Sequence, residues 1–129
     1  MNHGDERRGG EADEIRLALP ALAAYGRVVR LAVTGLASRN GFSYDDVQDL
    51  RIAIGEVFGL LVEPEDGEDR LRFTCCLQPD ALEIEATRVP PSPIVEVGDL
   101  SRQILGAVAD EAEIDQPGGR IRIVKRLRA

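Results

Sequence analysis

The sequence contains a single histidine, His3, and only two cysteines, Cys75 and Cys76. A metal site needs several ligands at suitable spacing, so this inventory argues against one. Adjacent residues on a strand point to opposite faces, which excludes an ordinary structural bridge between the two thiols. Cys75 reads as core and Cys76 as packing or rim. No apolar run approaches the ~20 residues a membrane helix requires. The opening "MNHGDERRGGEADE" has no hydrophobic stretch of the kind a secretory signal carries, so a reducing cytoplasm is the expected compartment. Basic residues are also scarce relative to acidic ones: 16 Lys and Arg stand against 23 Asp and Glu, a net charge of -7. That balance disfavours nucleic acid, whose phosphates call for clustered cations.

What is present is a 129-residue chain, 43% apolar, enough for one domain with one core. The charged, Gly-containing residues 1–14 are expected to be a disordered tail, with the domain over 15–129. The charge is unevenly spread. "PEDGED" (64–69) is acidic, whereas "RIRIVKRLRA" (120–129) carries five basic residues and no acid. That last segment reads as a solvated edge strand or as a docking surface for an acidic partner.

"IRLAL" (15–19) alternates like a strand, and Pro20 ends it. From Ala21 to Arg39, Leu22, Tyr25, Val29, Ala32, Val33 and Leu36 follow helical spacing, with Asn40-Gly41 as the stop. Ser43 is a good N-cap for a second helix, and Asp45 and Asp46 suit its first turn. Its apolar stripe is Val47, Leu50, Ile54, Val57 and Leu61, and Pro64 ends it. "RLRFTCCL" and "LEIEA", joined by the turn "QPDA", predict a hairpin. "TRVPPSPIVEVG" reads as extended loop. Asp99 can cap a third helix through Leu100, Ile104, Leu105 and Val108, and "RIRIVKRL" is a last strand. The order β-α-α-β-β-α-β predicts an α/β two-layer sandwich, a mixed or antiparallel sheet with helices on one face. The inner residues should include Leu17, Leu22, Val33, Leu50, Ile54, Val57, Phe73, Ile84, Ile104 and Ile123.

Four stretches together resemble a known family: "LPALAAYGRVVRLAVTGLASRNGFSYDD", "VQDLRIAIGEV", "FTCCLQPDALEIEA" and "LGAVADEAEIDQPGGRIRIVKRL". In this combination and order the chain resembles the bacterial anti-sigma-factor serine kinases of the histidine-kinase-like (GHKL) ATPase superfamily. The resemblance implies a second helix with an E-x-x-x-N motif, the glutamate a general base and the asparagine a ligand of ATP-bound magnesium. Glu56 matches the glutamate. Leu60 stands at the asparagine position and offers magnesium no oxygen. Pro64 stands near a usual histidine. The family's D-x-G-x-G motif should follow the hairpin, its aspartate reading the adenine amino group. Here Arg88 falls at the aspartate, Pro90 at a glycine, and an arginine has only donors. The Gly-rich phosphate lid is short and proline-rich, with only Gly98 left before the third helix.

The resemblance therefore implies the fold without the chemistry: no catalytic residue beyond a relic base at Glu56, and no nucleotide or metal cofactor. Relatives work by partner switching, holding a sigma factor or a STAS-type anti-sigma-factor antagonist. They are often dimers, and much of the contact comes from the first helix. On this chain that points to Arg27 and Arg30, which otherwise read as a solvated helix face. Two further readings stand beside this one. The first is an ATP-dependent serine kinase with an atypical site. The second is a small-ligand sensor, in which Arg88 and the third helix's N-terminus favour an anion.

Overall fold

The computed structural model describes residues 13–128, and most of the expected N-terminal tail lies outside them. Strand β1 (Asp13–Ala21) leads through a single 3-10 turn (Ala23–Tyr25) into α1 (Gly26–Arg39), followed by α2 (Tyr44–Leu61). The hairpin β2 (Asp66–Gln78) and β3 (Ala81–Val89), then α3 (Asp99–Val108), β4 (Glu111–Asp115) and β5 (Arg120–Arg126), complete the chain. The five strands lie in the order β1-β2-β3-β5-β4, and every neighbouring pair is antiparallel. The helices cover one face, α2 between α1 and α3. This is the expected two-layer sandwich, with one strand more than the sequence pattern gave.

Alternation along the strands fixes which face is covered. Leu71, Phe73 and Cys75 of β2, Leu82, Ile84 and Ala86 of β3, and Ile121 and Ile123 of β5 are buried under the helices. From above, α2 contributes Leu50, Ile54, Val57 and Leu61, all essentially inaccessible. Phe58 of α2 stacks on Phe73 of β2, ring centroids 6.4 Å apart. The helix starts as its sequence implies: the Ser43 hydroxyl accepts from the Asp46 amide at 3.1 Å, and Asp45 and Asp46 occupy the positive first turn.

Several boundaries differ. Asp13 and Glu14 belong to β1 rather than to a tail, and β1 runs past Pro20 to Ala21. Pro20 is tolerated because β1 is an edge strand, and the register breaks at Pro20/Ala21. Thr87, Arg88 and Val89 extend β3 instead of opening a loop. Gly98, not Asp99, is the N-cap of α3, whose Leu100 is exposed. Leu17, Leu22 and Ile104 are only partly buried, while Tyr25 and Ala32 are exposed.

The basic C-terminal segment is not an edge strand. β5 lies inside the sheet between β3 and β4, and neighbouring acids neutralise its charges. Arg122 meets Glu83, Glu111 and Glu113, and Arg126 meets Glu111. Arg128 donates to Asp110 Oδ1 at 2.6 Å. Lys125 points inward and is buried, its ammonium 3.0 Å from both Asp49 Oδ2 and the Val108 carbonyl. It thereby ties β5 to the start of α2 and the end of α3.

The Arg128 hydrogen bond, helped by the Arg126 amide, holds the Asp110 carboxyl at about 2 instead of 3.8. A depressed carboxylate stabilises the fold above its unfolded pKa and loses that contribution as pH falls through the folded one. The effect of Asp110 is thus complete above about pH 4 and disappears toward pH 2. Carbonyl-detected NMR titration should place Asp110 near 2 in the natural sequence and return it toward 3.8 in Arg128→Ala. Equal midpoints in the two proteins would show that Arg128 does not hold the carboxylate.

Candidate functional site

One end of the sheet, where α2 stops and β3 leaves the hairpin, gathers the residues singled out in the sequence. Glu56 and Leu60 lie one turn apart on α2, and both are half-buried. Leu60 packs against the core and, with Gly59, Glu63, Val95 and Glu96, borders a groove of about 290 Å³. The Leu60 side chain is hydrocarbon and offers this groove no oxygen ligand. No group of three or more His, Cys, Asp or Glu among the described residues could hold a metal ion.

Arg88 is the most changed from its sequence reading. It points inward from β3 and is only 3% exposed. Nε and Nη2 donate to Asp69 Oδ2 at 2.9 and 2.8 Å. Nη1 donates to the Leu61 carbonyl at 3.0 Å, and Nη2 also reaches the Pro64 carbonyl at 2.6 Å. Leu61 is the last residue of α2, so the guanidinium caps an orphan carbonyl at the negative end of that helix. All three guanidinium nitrogens are engaged inside the fold. The sensor reading loses its cation, because Arg88 is committed to Asp69 and two carbonyls and does not face an incoming anion.

The proline-rich segment after β3 is a fixed strap. Ile94 is inserted into the core. Its amide donates to the Gln116 carbonyl at 2.9 Å, and Gln116 Nε2 returns a bond to the Ile94 carbonyl at 3.1 Å. Gly119, at φ +66°, lies against Ser92 so closely that a Cβ there would stand 2.0 Å from the Ser92 carbonyl oxygen. The Arg88 amide donates to the Gly119 carbonyl at 3.3 Å, closing the same corner. Gly98 is exposed at the start of α3. The strap thus brings Val95 and Glu96 beside Leu60 and Glu63, with Pro90 exposed at its start.

The two arginines singled out on the first helix, Arg27 and Arg30, separate. Arg27 is exposed. Arg30 is half-buried and leans toward α2: a Cβ on Gly55 would meet Arg30 Cδ at 4.0 Å, and one on Gly26 would meet Arg30 Nη1 at 3.3 Å. Arg30 therefore occupies the seam between α1 and α2 rather than the outer face. That outer face is apolar. Val28 and Leu31 are 44% and 59% exposed, with Ala32 and Gly35 exposed beside them, opposite buried Val29, Val33 and Ala37. A helix that is apolar on both sides signals a second covering surface. "VVRLAVTGLA" carries that signal around its circumference, and a reading of only the inward stripe passes over it.

No protein-family model matches the chain. A serine-protein kinase RsbW from Bacillus cereus (strain B4264) is 40% identical over 76 residues, covering 57% of this chain and 48% of the relative. The RsbW of Halalkalibacterium halodurans is 27% identical over 129 residues, 84% of this chain and 80% of the relative. The chain is thus similar in sequence to serine-protein kinases named RsbW. The match spans about half the length of the Bacillus cereus proteins. The fold is shared with a solved structure of the RsbU and RsbW domains of Rv1364c from Mycobacterium tuberculosis. That likeness has a TM-score of 0.66 at 17% identity, over 90% of this chain and 32% of the other. The two-layer sandwich expected from the sequence is thus the fold observed, and that solved structure shares it. No helix among the described residues is long and apolar enough to cross a membrane.

Proposed function

We propose that this chain is a partner-switching binding protein that holds a sigma factor or a STAS-type anti-sigma-factor antagonist without turning over ATP. The observation that carries the reading is the state of Arg88. At the position where the family's aspartate reads adenine, a buried guanidinium is bonded to Asp69, Leu61 and Pro64. Two further features support it. Leu60 replaces the magnesium ligand with core-packed hydrocarbon, and the strap is anchored through Ile94 where relatives carry a Gly-rich lid. With all three changed, Glu56 has no bound phosphoryl donor to act beside, and it remains as a half-buried carboxylate.

The opposite reading, an ATP-dependent serine kinase, is favoured by the relatives, which are serine-protein kinases. Calorimetric titration with ATP and magnesium, paired with phosphotransfer to any captured antagonist, separates the two. Absence of both signals is expected. Micromolar ATP binding would overturn the proposal and return Glu56 to the role of general base. The variant Leu60→Asn should not restore binding, because Arg88 and the strap remain.

Partner contact is assigned to α1, in the apolar outer stripe of Val28, Leu31, Ala32 and Gly35 flanked by Arg27 and the Arg30 seam. Against a partner recovered by affinity capture from the native host, Leu31→Asp and Arg30→Glu should each weaken binding by more than about ten-fold, or ~1.4 kcal/mol. Leu31 is exposed, so circular dichroism of Leu31→Asp should match the natural sequence. Unchanged affinity in both variants would remove α1 from the interface.

A further inference from the structure

The face of the sheet turned away from the helices holds a second cavity, unconnected with α1. It measures about 450 Å³, within the range of small-ligand pockets. Its floor is a row of side chains set by strand register: Arg72 on β2 pairs with Thr87 on β3, which pairs with Arg120 on β5. Neighbouring strands are about 4.8 Å apart, so the two arginines start roughly 10 Å from each other, with the threonine between them. Guanidinium groups on stems of that length can converge above the hydroxyl. Val89 and Pro91, from the end of β3 and the start of the strap, form one wall. Gly118 and Asp115 of the β4–β5 corner form the other.

The charges here are not spent as they are elsewhere on this face. Arg122, two residues from Arg120, meets three glutamates. Arg72 is exposed, and its side chain has no hydrogen bond or ion pair among the described residues; its register partner on β1 is Ala18. Arg120 is 53% exposed and only loosely held, 3.5 Å from Glu85 and 3.7 Å from Asp115. Asp115 already accepts from the Gly118 amide at 3.0 Å. Those two carboxylates offset much of Arg120, which leaves Arg72 as the uncompensated charge.

We propose that this row is a binding site for a phosphoryl group. A tetrahedral dianion offers several acceptor oxygens, enough for two guanidinium forks and a hydroxyl at once. The flanking Asp115 and Glu85 would repel an extended polyanion but leave room for one compact phosphoryl. The group can arrive on a small molecule or on a phosphorylated serine of a protein, and the chemistry at the floor is the same for both.

The test is proton–nitrogen correlation NMR on the full chain. Inorganic phosphate is added in one arm and a phosphoserine-containing peptide in the other, each against chloride at matched ionic strength. Saturable shifts are expected at the amides of Thr87, Gly118 and Arg120. Arg72→Gln should raise the dissociation constant by about ten-fold or more, in keeping with loss of a charge-assisted pair. Arg102→Gln, on α3, should leave it unchanged. Saturation by phosphate alone would assign a small-molecule ligand; saturation by the peptide alone would assign a phosphoprotein. Both results support the site. Shifts that never saturate, that chloride reproduces, or that survive in Arg72→Gln would overturn it. Circular dichroism of the variant establishes that a lost signal is not lost folding.

Discussion

Replacing Arg88 with alanine should destabilise the protein by about 3–5 kcal/mol, the scale for removing one partner from a buried charge pair. The loss has several parts. Asp69 would keep its charge with its buried partner gone. The carbonyls of Leu61 and Pro64 would lose their donor in a region where Arg88 itself is 3% exposed. The vacated stem would leave a void at the junction of α2, β2 and β3. Against a total stability of roughly 5–15 kcal/mol for a domain of this size, that is a large fraction. Urea unfolding of the two proteins measures it, with the slope expected to be unchanged. A companion variant separates the contributions. Arg88→Met with Asp69→Leu removes both charges and refills the space, and should recover part of the loss, because the uncompensated charge is then gone. A loss under about 1 kcal/mol in Arg88→Ala would mean that water replaces the guanidinium at little cost, and that the residue does not lock this corner. If the proposed ATP-independent reading holds, Arg88→Ala should also show no ATP binding, since removing the cation supplies neither an adenine acceptor nor a magnesium ligand.

Such a residue shows where sequence reading ends. The helix α2 was legible because its signals are local: Ser43 caps it, Asp45 and Asp46 suit its first turn, its apolar stripe is regular, and Pro64 follows its end. The β2–β3 hairpin was legible through its alternation and its turn. Strand β4 was not. "EAEID" is five residues long, with two small or apolar positions between acids, and it is held by pairing with β5 rather than by its own pattern. The place of β5 inside the sheet was equally hidden, because its charges suggest solvent and are matched by acids brought from elsewhere in the chain, among them Glu83, Glu111 and Asp49. Arg88 depends on partners 19 to 27 residues away in the chain. The family resemblance implied that an arginine at this position cannot read adenine; only the fold shows its bonds to Asp69 and α2. For α1 the signal was present in the sequence. Apolar residues occur around the whole helix, and the outward set Val28, Leu31, Ala32 and Gly35 is a better mark of an interface than the charge of Arg30, which lies in the α1–α2 seam.

The second large effect is expected from Gly119→Ala, and it bears on whether the strap can behave as a lid. Gly119 has φ +66°, where an alanine costs about 1–2 kcal/mol from backbone strain alone. The added carbon would also fall 2.0 Å from the Ser92 oxygen and 3.1 Å from its carbonyl carbon. Both are backbone atoms of the strap, so no side-chain rotation relieves the overlap. Forcing the strap or the β4–β5 corner to move adds about 1–3 kcal/mol, giving a total of roughly 2–5 kcal/mol. The damage should be local first. The Ile94 amide bonds to Gln116, and the Arg88 amide to Gly119 itself. Hydrogen exchange at these two amides should accelerate more than at Leu50 or Ile54 in the middle of α2, where only global opening exposes the backbone. Equal acceleration at all four would mean that the strap has no separate attachment and that the substitution acts on the whole domain. A strap released in this way would be mobile, as a gating segment must be. It would still lack glycines to bring backbone amides to a phosphate, and it would open beside Leu60 and above a guanidinium bonded to Asp69. Calorimetry of Gly119→Ala with ATP and magnesium should therefore stay silent. Binding that appeared on release would show that the strap alone had been excluding nucleotide.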